Sequence, residues 1–151
     1  MSELKVGDLA PNFELPNLNN ETVKLSDFRD NKNVILSFHP LAWTGVCAVQ
    51  MQNLNEASES LNALDTVALG INVDALPAKT AWFAALELDD LTALSDFEPK
   101  GEVAKKYGIY REEGFSERAV FVVDKLGVII FKKIYPIGDQ PDLKEIMAVL
   151  Q

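Results

Sequence analysis

The stretch "HPLAWTGVC", residues 39 to 47, holds the only cysteine and the only histidine of the chain, Cys47 and His39. A thiolate is a strong nucleophile, but a free cysteine has a pKa of about 8.5 and is mostly protonated at neutral pH. Pro40 favours an extended backbone at His39, and Thr44 is a candidate N-cap that places Cys47 third in a helix. The residues alone leave two readings open: a nucleophile in the first helical turn, or a buried thiol without chemical role.

Activation of this thiol requires more than the helix. A helix N-terminus stabilises an anion by roughly 0.3 to 1 kcal/mol, or about 2 kcal/mol when partly buried. Each pKa unit corresponds to about 1.4 kcal/mol, so the helix alone lowers the pKa by about one unit. A nearby cation is therefore expected. Of the three arginines, Arg29, Arg111 and Arg118, the last directly precedes an apolar strand that could bring it to the edge of the sheet.

The imidazole of His39 has two interpretations: a general base in a Cys/His hydrolase, or a residue that only ends a strand.

Aromatic side chains are usually buried, so core or interface positions are predicted for Trp43, Trp82 and Phe97. The acidic pairs at 89–90 and 112–113 are interpreted as solvated charges. No group of residues has metal-ligand spacing, so no metal site is predicted.

The composition excludes several classes of partner. With 23 acidic and 14 basic side chains the formal net charge is -9, which disfavours nucleic acid and anionic membranes. The first residues lack the basic and apolar segments of a signal peptide, and no apolar run is long enough to span a bilayer. A cytoplasmic location is expected. A single cysteine excludes an internal disulfide and a CxxC pair.

The hydrophobic pattern predicts one α/β domain over residues 1–151. Alternating residues at 13–15 and 22–25 indicate an N-terminal hairpin, and Ser26 begins a short capped turn. Strands are predicted at 33–38, 66–73, within 91–97, at 119–124 and at 127–135, the last two forming a hairpin. Helices are predicted from Thr44 to about Asn62, after Pro77, at 101–108 and at 141–150. This order predicts a mixed central sheet with helices on both faces, a thioredoxin-like layout that other doubly wound sheets share.

Pro40, Thr44 and Cys47 match the PxxxTxxC motif, and the chain resembles the peroxiredoxins (the AhpC/TSA superfamily). The segments "VGDLAPNFEL", "VKLSDFRDNKNVILSF", "LSDF", "YGI" and "ERAVFVVDKLGVI" resemble further landmarks of that family in the same order. The likeness is greatest to one-cysteine members of the alkyl hydroperoxide reductase E type. It implies a thioredoxin-like fold and a thiol-dependent peroxidase that needs no cofactor.

The resemblance also implies roles for individual residues. Cys47 would attack a hydrogen or organic peroxide and become a sulfenic acid. Thr44 would hydrogen-bond the peroxide and the sulfur, Arg118 would stabilise the thiolate and the developing oxyanion, and Pro40 would shield the sulfur. His39 and Trp43 are weaker candidates for contact with the substrate, and His39 is also a candidate for contact with the sulfur or the incoming reductant.

Three positions depart from the usual family pattern. Gln50 stands where many members have Glu, and His39 where many have Tyr or Phe. Gln52 occupies a place where some relatives carry a second, resolving cysteine. Reduction of Cys47 must therefore come from an external thiol or a thioredoxin-like protein. The resemblance further implies a homodimer, with Trp43 and the helix after Pro77 as candidate contacts.

A different class of function stays open on the sequence alone. Without a resolving cysteine, oxidised Cys47 could form a mixed disulfide with a partner protein, as in a redox sensor or interaction module. A Cys/His hydrolase is the third alternative. Neither the preferred peroxide nor the physiological reductant follows from these residues.

Overall fold

The computed structural model describes residues 3–151 and contains a five-stranded sheet in the order β5-β4-β3-β6-β7. The strands are β3 (Asn33–Phe38), β4 (Thr66–Asn72), β5 (Thr92–Ser95), β6 (Arg118–Val123) and β7 (Ile129–Tyr135). The pairs β3·β4 and β4·β5 are parallel, whereas β3·β6 and β6·β7 are antiparallel. The predicted mixed sheet and the C-terminal hairpin are thus confirmed.

Strand β3 lies at the centre because its sequence, NVILSF, is apolar on both faces. Five of its six residues are buried. Its alternate side chains enter two separate cores: Val34, Leu36 and Phe38 pack in one, and Ile35 packs in the other. The two-residue period of a strand produces this division.

Helices cover both faces, as predicted. They are α1 (Gly45–Glu56), α2 (Ser58–Ala63), α3 (Leu76–Leu86), α4 (Glu102–Lys106) and α5 (Leu143–Ala148). Residues of α1, α2, α3 and α5 share the core of Ile35, and residues of α4 share the core of Phe38. The single helix expected from Thr44 to about Asn62 is instead two helices that meet at Ala57.

The N-terminal hairpin is present as β1 (Glu14–Pro16) and β2 (Thr22–Lys24), paired antiparallel in a separate two-stranded sheet. The short turn predicted to begin at Ser26 begins one residue earlier, as a 3₁₀ helix over Leu25–Phe28. There the Asp27 carboxylate accepts a hydrogen bond from the Lys24 N–H at 3.0 Å. Within residues 3–151 no helix has the length and apolar character needed to cross a membrane.

Candidate active site

The connection from β3 to α1 carries the residues singled out from the sequence. His39 directly follows β3, and its backbone N–H donates to the Ile71 carbonyl at 3.0 Å. Helix α1 begins at Gly45 with Thr44 at the N-cap position, so Cys47 is its third residue, as expected. The Cys47 side chain is fully buried. Its sulfur thus lies in the helical turn where unpaired backbone N–H groups favour an anion.

Arg118 is the first residue of β6, and the antiparallel pairing explains how it reaches a residue 71 positions earlier. Phe38, the last residue of β3, pairs with Ala119, so the start of β6 lies beside the end of β3. From there Arg118 Nη1 donates to Cys47 Sγ at 3.3 Å. Arg118 is only 2% exposed, so solvent screens its charge little. A buried positive charge thus lies beside the thiol, where the sequence led us to expect a cation.

Gln50 fixes the position of this guanidinium. Its Oε1 accepts from Arg118 Nη1 at 2.6 Å, while its Nε2 donates to Ser37 Oγ at 2.7 Å and to the Phe38 carbonyl at 3.3 Å. Arg118 Nε also donates to the Ile137 carbonyl at 3.0 Å. Sequence reasoning treated Gln50 only as a departure from the family pattern. Its place one helical turn after Cys47 was the available signal.

Pro40 and Thr44 occupy the loop before α1. Pro40 is buried and Thr44 is exposed. The sequence suggested Thr44 as the N-cap, and Thr44 does occupy that position. Its side chain makes no capping hydrogen bond, however, and its hydroxyl donates to the Leu41 carbonyl at 2.8 Å. The Thr44 carbonyl accepts the Ala48 N–H at 2.9 Å and so starts the helical ladder.

The aromatic residues near this loop separate into buried and exposed sets. Trp82 is 1% exposed and packs in the core, as predicted. The core alternative is wrong for Trp43 and Phe97, which are 60% and 48% exposed. Trp43 also has a φ of 65°, in the left-handed region that few non-glycine residues adopt. Among the described residues, no group of three His, Cys, Asp or Glu side chains is placed to hold a metal ion.

His39 contacts a residue that sequence reasoning overlooked. Its Nε2 lies 3.2 Å from Nζ of Lys79, which also donates to Asn72 Oδ1 at 2.7 Å. Both His39 and Lys79 are fully buried. Burial, followed by the charges of Lys79 and Arg118, holds the His39 pKa well below 6.5. His39 is thus a neutral imidazole at neutral pH, and Arg118 rather than His39 donates to the sulfur.

Burial also lowers the pKa of Lys79 from 10.5 to about 7, although the charges of Asp74, Cys47 and Asp96 oppose this shift. Lys79 is the only charged residue in the sequence of α3, LPAKTAWFAAL. A single lysine in an otherwise apolar helix was the sequence signal that could have identified it, since lysine is almost never fully buried without partners.

Comparisons with known proteins place the chain in a family. The model of the AhpC/TSA family matches residues 6–132. The chain is 37% identical over 140 residues to alkyl hydroperoxide reductase E of Mycobacterium bovis, covering 92% of this chain and 91% of that protein. It is 37% identical over 143 residues to a thiol peroxidase of Listeria monocytogenes, covering 93% and 84%. The structure of a mitochondrial 2-Cys peroxiredoxin from Plasmodium falciparum superposes with a TM-score of 0.86 at 25% identity, covering 97% and 92%.

The chain therefore belongs to the AhpC/TSA family, as its resemblance to the peroxiredoxins implied. Like its named relatives, it is a thiol-dependent peroxidase with a thioredoxin-like fold. These relatives are enzymes, so the alternative of a sensor or interaction module is not favoured.

Proposed function

We propose that Cys47 is the peroxidatic residue and that it reduces hydrogen peroxide and organic hydroperoxides. The thiolate attacks one peroxide oxygen, a sulfur–oxygen bond forms, and the oxygen–oxygen bond breaks. The electron pair of that bond leaves with the second oxygen, which takes up a proton and departs as water or alcohol. Cys47 is left as a sulfenic acid. The observation that carries this proposal is the 3.3 Å contact between Arg118 Nη1 and the Cys47 sulfur in the first turn of α1.

Arg118 has two roles in the proposed reaction. Its permanent charge favours the thiolate before the reaction, and its donors stabilise the negative charge that develops on the peroxide oxygens. The second role matters for speed, because a thiol whose pKa is lowered becomes intrinsically less nucleophilic. Gln50 and the Ile137 carbonyl restrain the guanidinium from two directions, which supports a preorganised site.

Pro40 and Thr44 complete the proposed peroxide site. Pro40 is buried beside the loop and lacks an N–H, so it shields the sulfur without attracting water. The Thr44 hydroxyl donates to Leu41, so its oxygen can still accept the O–H of a hydroperoxide. Because Cys47 is fully covered, neighbouring side chains must move aside before a peroxide reaches it.

His39 and Trp43 are proposed to serve different steps. His39 is buried and neutral, which suits contact with a peroxide once it has entered the site. The ring of Trp43 is 60% exposed next to Thr44, which suits contact with a peroxide that approaches from solvent.

The oxidised enzyme is proposed to depend on an external reductant, since the chain has one cysteine. A small thiol or a thioredoxin-like protein attacks the sulfenic acid, releasing water and forming a mixed disulfide. A second thiol then attacks the sulfur of the reductant, which leaves as a disulfide and returns Cys47 to its reduced form. Both attacking thiols come from the reductant, so these steps need no second cysteine in this chain.

We also propose a cytoplasmic homodimer. Leu41 and Trp43 are exposed apolar side chains on the loop before α1, and exposed apolar groups of this kind favour protein contacts. The helix α3 after Pro77 is the second candidate surface. Light scattering at working concentration is expected to give the mass of a dimer, and a monomer at every concentration would contradict this part of the proposal.

The peroxidase proposal is tested by mixing reduced protein with a slight excess of hydrogen peroxide. A sulfenic acid should form on Cys47 within seconds and be trapped by a sulfenic-acid reagent, and Cys47→Ser should remove the signal. Continuous turnover is expected when a small thiol or a thioredoxin system is added. A rate no faster than that of a free thiol would overturn the proposal, and a single event without turnover would support the sensor instead.

A further inference from the structure

A polar cluster, buried except for a partly exposed Asp74, adjoins the loop that leads to Cys47. It consists of His39, Asn72, Asp74 and Lys79, referred to below as the Lys79 cluster. Lys79 Nζ lies 3.2 Å from His39 Nε2 and 2.7 Å from Asn72 Oδ1. The Lys79 side chain comes from the first turn of α3, and it is fully buried. A buried lysine is costly to maintain unless hydrogen bonds and opposite charges compensate for the lost solvation.

The cluster is connected to the catalytic loop through Asp74. One carboxylate oxygen of Asp74 accepts the backbone N–H of Ala42 at 2.6 Å and also accepts from Asn72 Nδ2. The Asp74 carbonyl in turn accepts from Ser95 Oγ at 2.6 Å. The segment between Pro40 and Thr44 is therefore attached to the ends of β4 and β5.

A charged Lys79 selects one tautomer of His39. An ammonium only donates hydrogen bonds, so in that state His39 Nε2 accepts and Nδ1 carries the hydrogen. This Nδ1 is buried and has no hydrogen-bond partner within the described residues. The imidazole also packs against Trp82, with ring centroids 5.3 Å apart. Lys79 and Trp82, both on α3, thus hold the ring that adjoins Pro40.

The charges facing Lys79 come from several elements. Asp74 precedes α3, Asp96 follows β5, and Cys47 lies on α1, and each of these favours the ammonium form. The positive charge of Arg118 on β6 faces His39. Burial works in the opposite direction and brings the Lys79 pKa to about 7, so its charge is sensitive to these neighbours. Lys79 and Cys47 therefore lie close enough for their charges to interact.

We propose, building on the peroxidase function above, that Lys79 is a positioning residue of the peroxide reaction. Its ammonium stabilises the Cys47 thiolate from α3 while Arg118 contacts the sulfur from β6, and its hydrogen bonds hold His39 and the loop before α1. Lys79 acts through these neighbours and does not touch the peroxide.

The test measures thiolate formation directly. Cys47 is the only cysteine, so the ultraviolet absorbance of the thiolate, corrected with the Cys47→Ser protein, reports one residue. The titration is made for the native protein, Lys79→Met and Lys79→Gln. The matched control is Lys106→Met, since Lys106 is an exposed lysine on α4. The same proteins are mixed with hydrogen peroxide across the same pH range.

Both Lys79 variants are expected to shift the midpoint of thiolate formation upward by about one pH unit, the lower end of the effect of one nearby opposite charge. The peroxide rate at neutral pH should fall about tenfold and be regained at higher pH, whereas Lys106→Met should match the native protein. Gln retains a hydrogen-bond donor and Met does not, so a shift in both identifies the charge as the cause.

A native midpoint in Lys79→Met and Lys79→Gln would overturn the proposal, and so would a slower rate that higher pH does not restore. Circular dichroism and thermal unfolding verify that the variants are folded. If Lys79→Met does not fold, Lys79→Gln alone decides, because it keeps one polar contact to His39. Failure of the peroxidase function itself would appear differently, as a native protein that titrates normally but does not react with peroxide.

Discussion

One nitrogen of Arg118, Nη1, donates to Gln50 Oε1 at 2.6 Å and to Cys47 Sγ at 3.3 Å. Gln50 is 2% exposed, and its amide group is anchored in turn on Ser37 and on the Phe38 carbonyl. The amide therefore sets the direction from which the guanidinium meets the sulfur. Helix α1 carries both acceptors, so the helix that presents the thiol also aligns its cation.

Replacement of Gln50 tests this alignment. Gln50→Leu removes the acceptor and leaves a buried N–H of Arg118 unpaired, which costs about 1 to 3 kcal/mol. We expect the peroxide reaction of Gln50→Leu to slow by about tenfold, the effect of losing about 1.4 kcal/mol of transition-state stabilisation, because Arg118 is no longer held in line with the sulfur. Gln50→Glu keeps an oxygen facing Arg118 and should remain close to the native rate. Stopped-flow measurement of sulfenic acid formation compares the three proteins, and equal rates in all of them would show that the amide does not align Arg118.

Replacement of Arg118 itself should have a larger effect. Arg118→Ala removes both the charge beside the thiolate and the donor for the developing oxyanion, and loss of one such donor slows reactions by about 10² to 10³. Arg118→Lys keeps a charge but cannot reproduce the separate contacts of Nε and Nη1, so an intermediate rate is expected. The measurement is the second-order rate constant with hydrogen peroxide.

The control for Arg118 is Arg111→Ala. Arg111 pairs with Glu113 and Glu117 at the protein surface and has no contact with Cys47 among its hydrogen bonds. It should leave the rate unchanged. If Arg118→Ala reacted as fast as Arg111→Ala, the proposed role of Arg118 would be refuted, provided that both proteins are folded.

Much of the fold could be predicted because its elements have strong local signals. Strand β3, with the sequence NVILSF, has the continuous apolar pattern of a central strand. Gly108, two residues after the end of α4, has a φ of 72° and turns the chain out of the helix, as glycine often does at this position. The break between α1 and α2 at Ala57 could not be predicted in this way. Alanine favours helices, and apolar residues continue on both sides of the break, so tertiary packing decides where the first helix ends.

The candidate site divides along similar lines. Cys47 and Thr44 are neighbours in sequence, and their placement in a helix-entry turn follows from local residues. The contact of Arg118 with Cys47 depends on the register of β3 against β6, which no local pattern specifies. Lys79 was missed because its polar partners, His39 and Asn72, are distant in sequence. The apolar pattern of α3 predicts that the helix packs against the core, but it does not predict which polar groups meet Lys79 there.

Gly70 on β4 offers a test of how tightly α1 is held against the sheet. A Cβ atom at this position would lie 2.6 Å from Sδ of Met51, which is fully buried on α1. Gly70→Ala therefore forces Met51 to move and should lower the free energy of unfolding by about 1 to 3 kcal/mol. Gly138→Ala is the matched control, since a Cβ there meets nothing within 4 Å. Urea unfolding measures both variants, and equal stabilities would show that Met51 adjusts at no cost.

Acid stability provides a test of the buried imidazole. Burial and the charges of Lys79 and Arg118 hold the His39 pKa well below 6.5 in the folded protein, whereas an unfolded histidine titrates near 6.5. The unfolded chain therefore binds more protons as the pH falls below 6.5, and the folded state loses stability, by up to about 1.4 kcal/mol per pH unit. In His39→Phe this contribution is absent. Carboxylates titrate in both proteins, so the comparison is the difference between their unfolding free energies measured in urea from neutral pH down to about pH 5. That difference should change steadily in favour of His39→Phe below pH 6.5, and a difference that stays constant with pH would show that His39 is protonated as readily in the folded protein as in the unfolded chain.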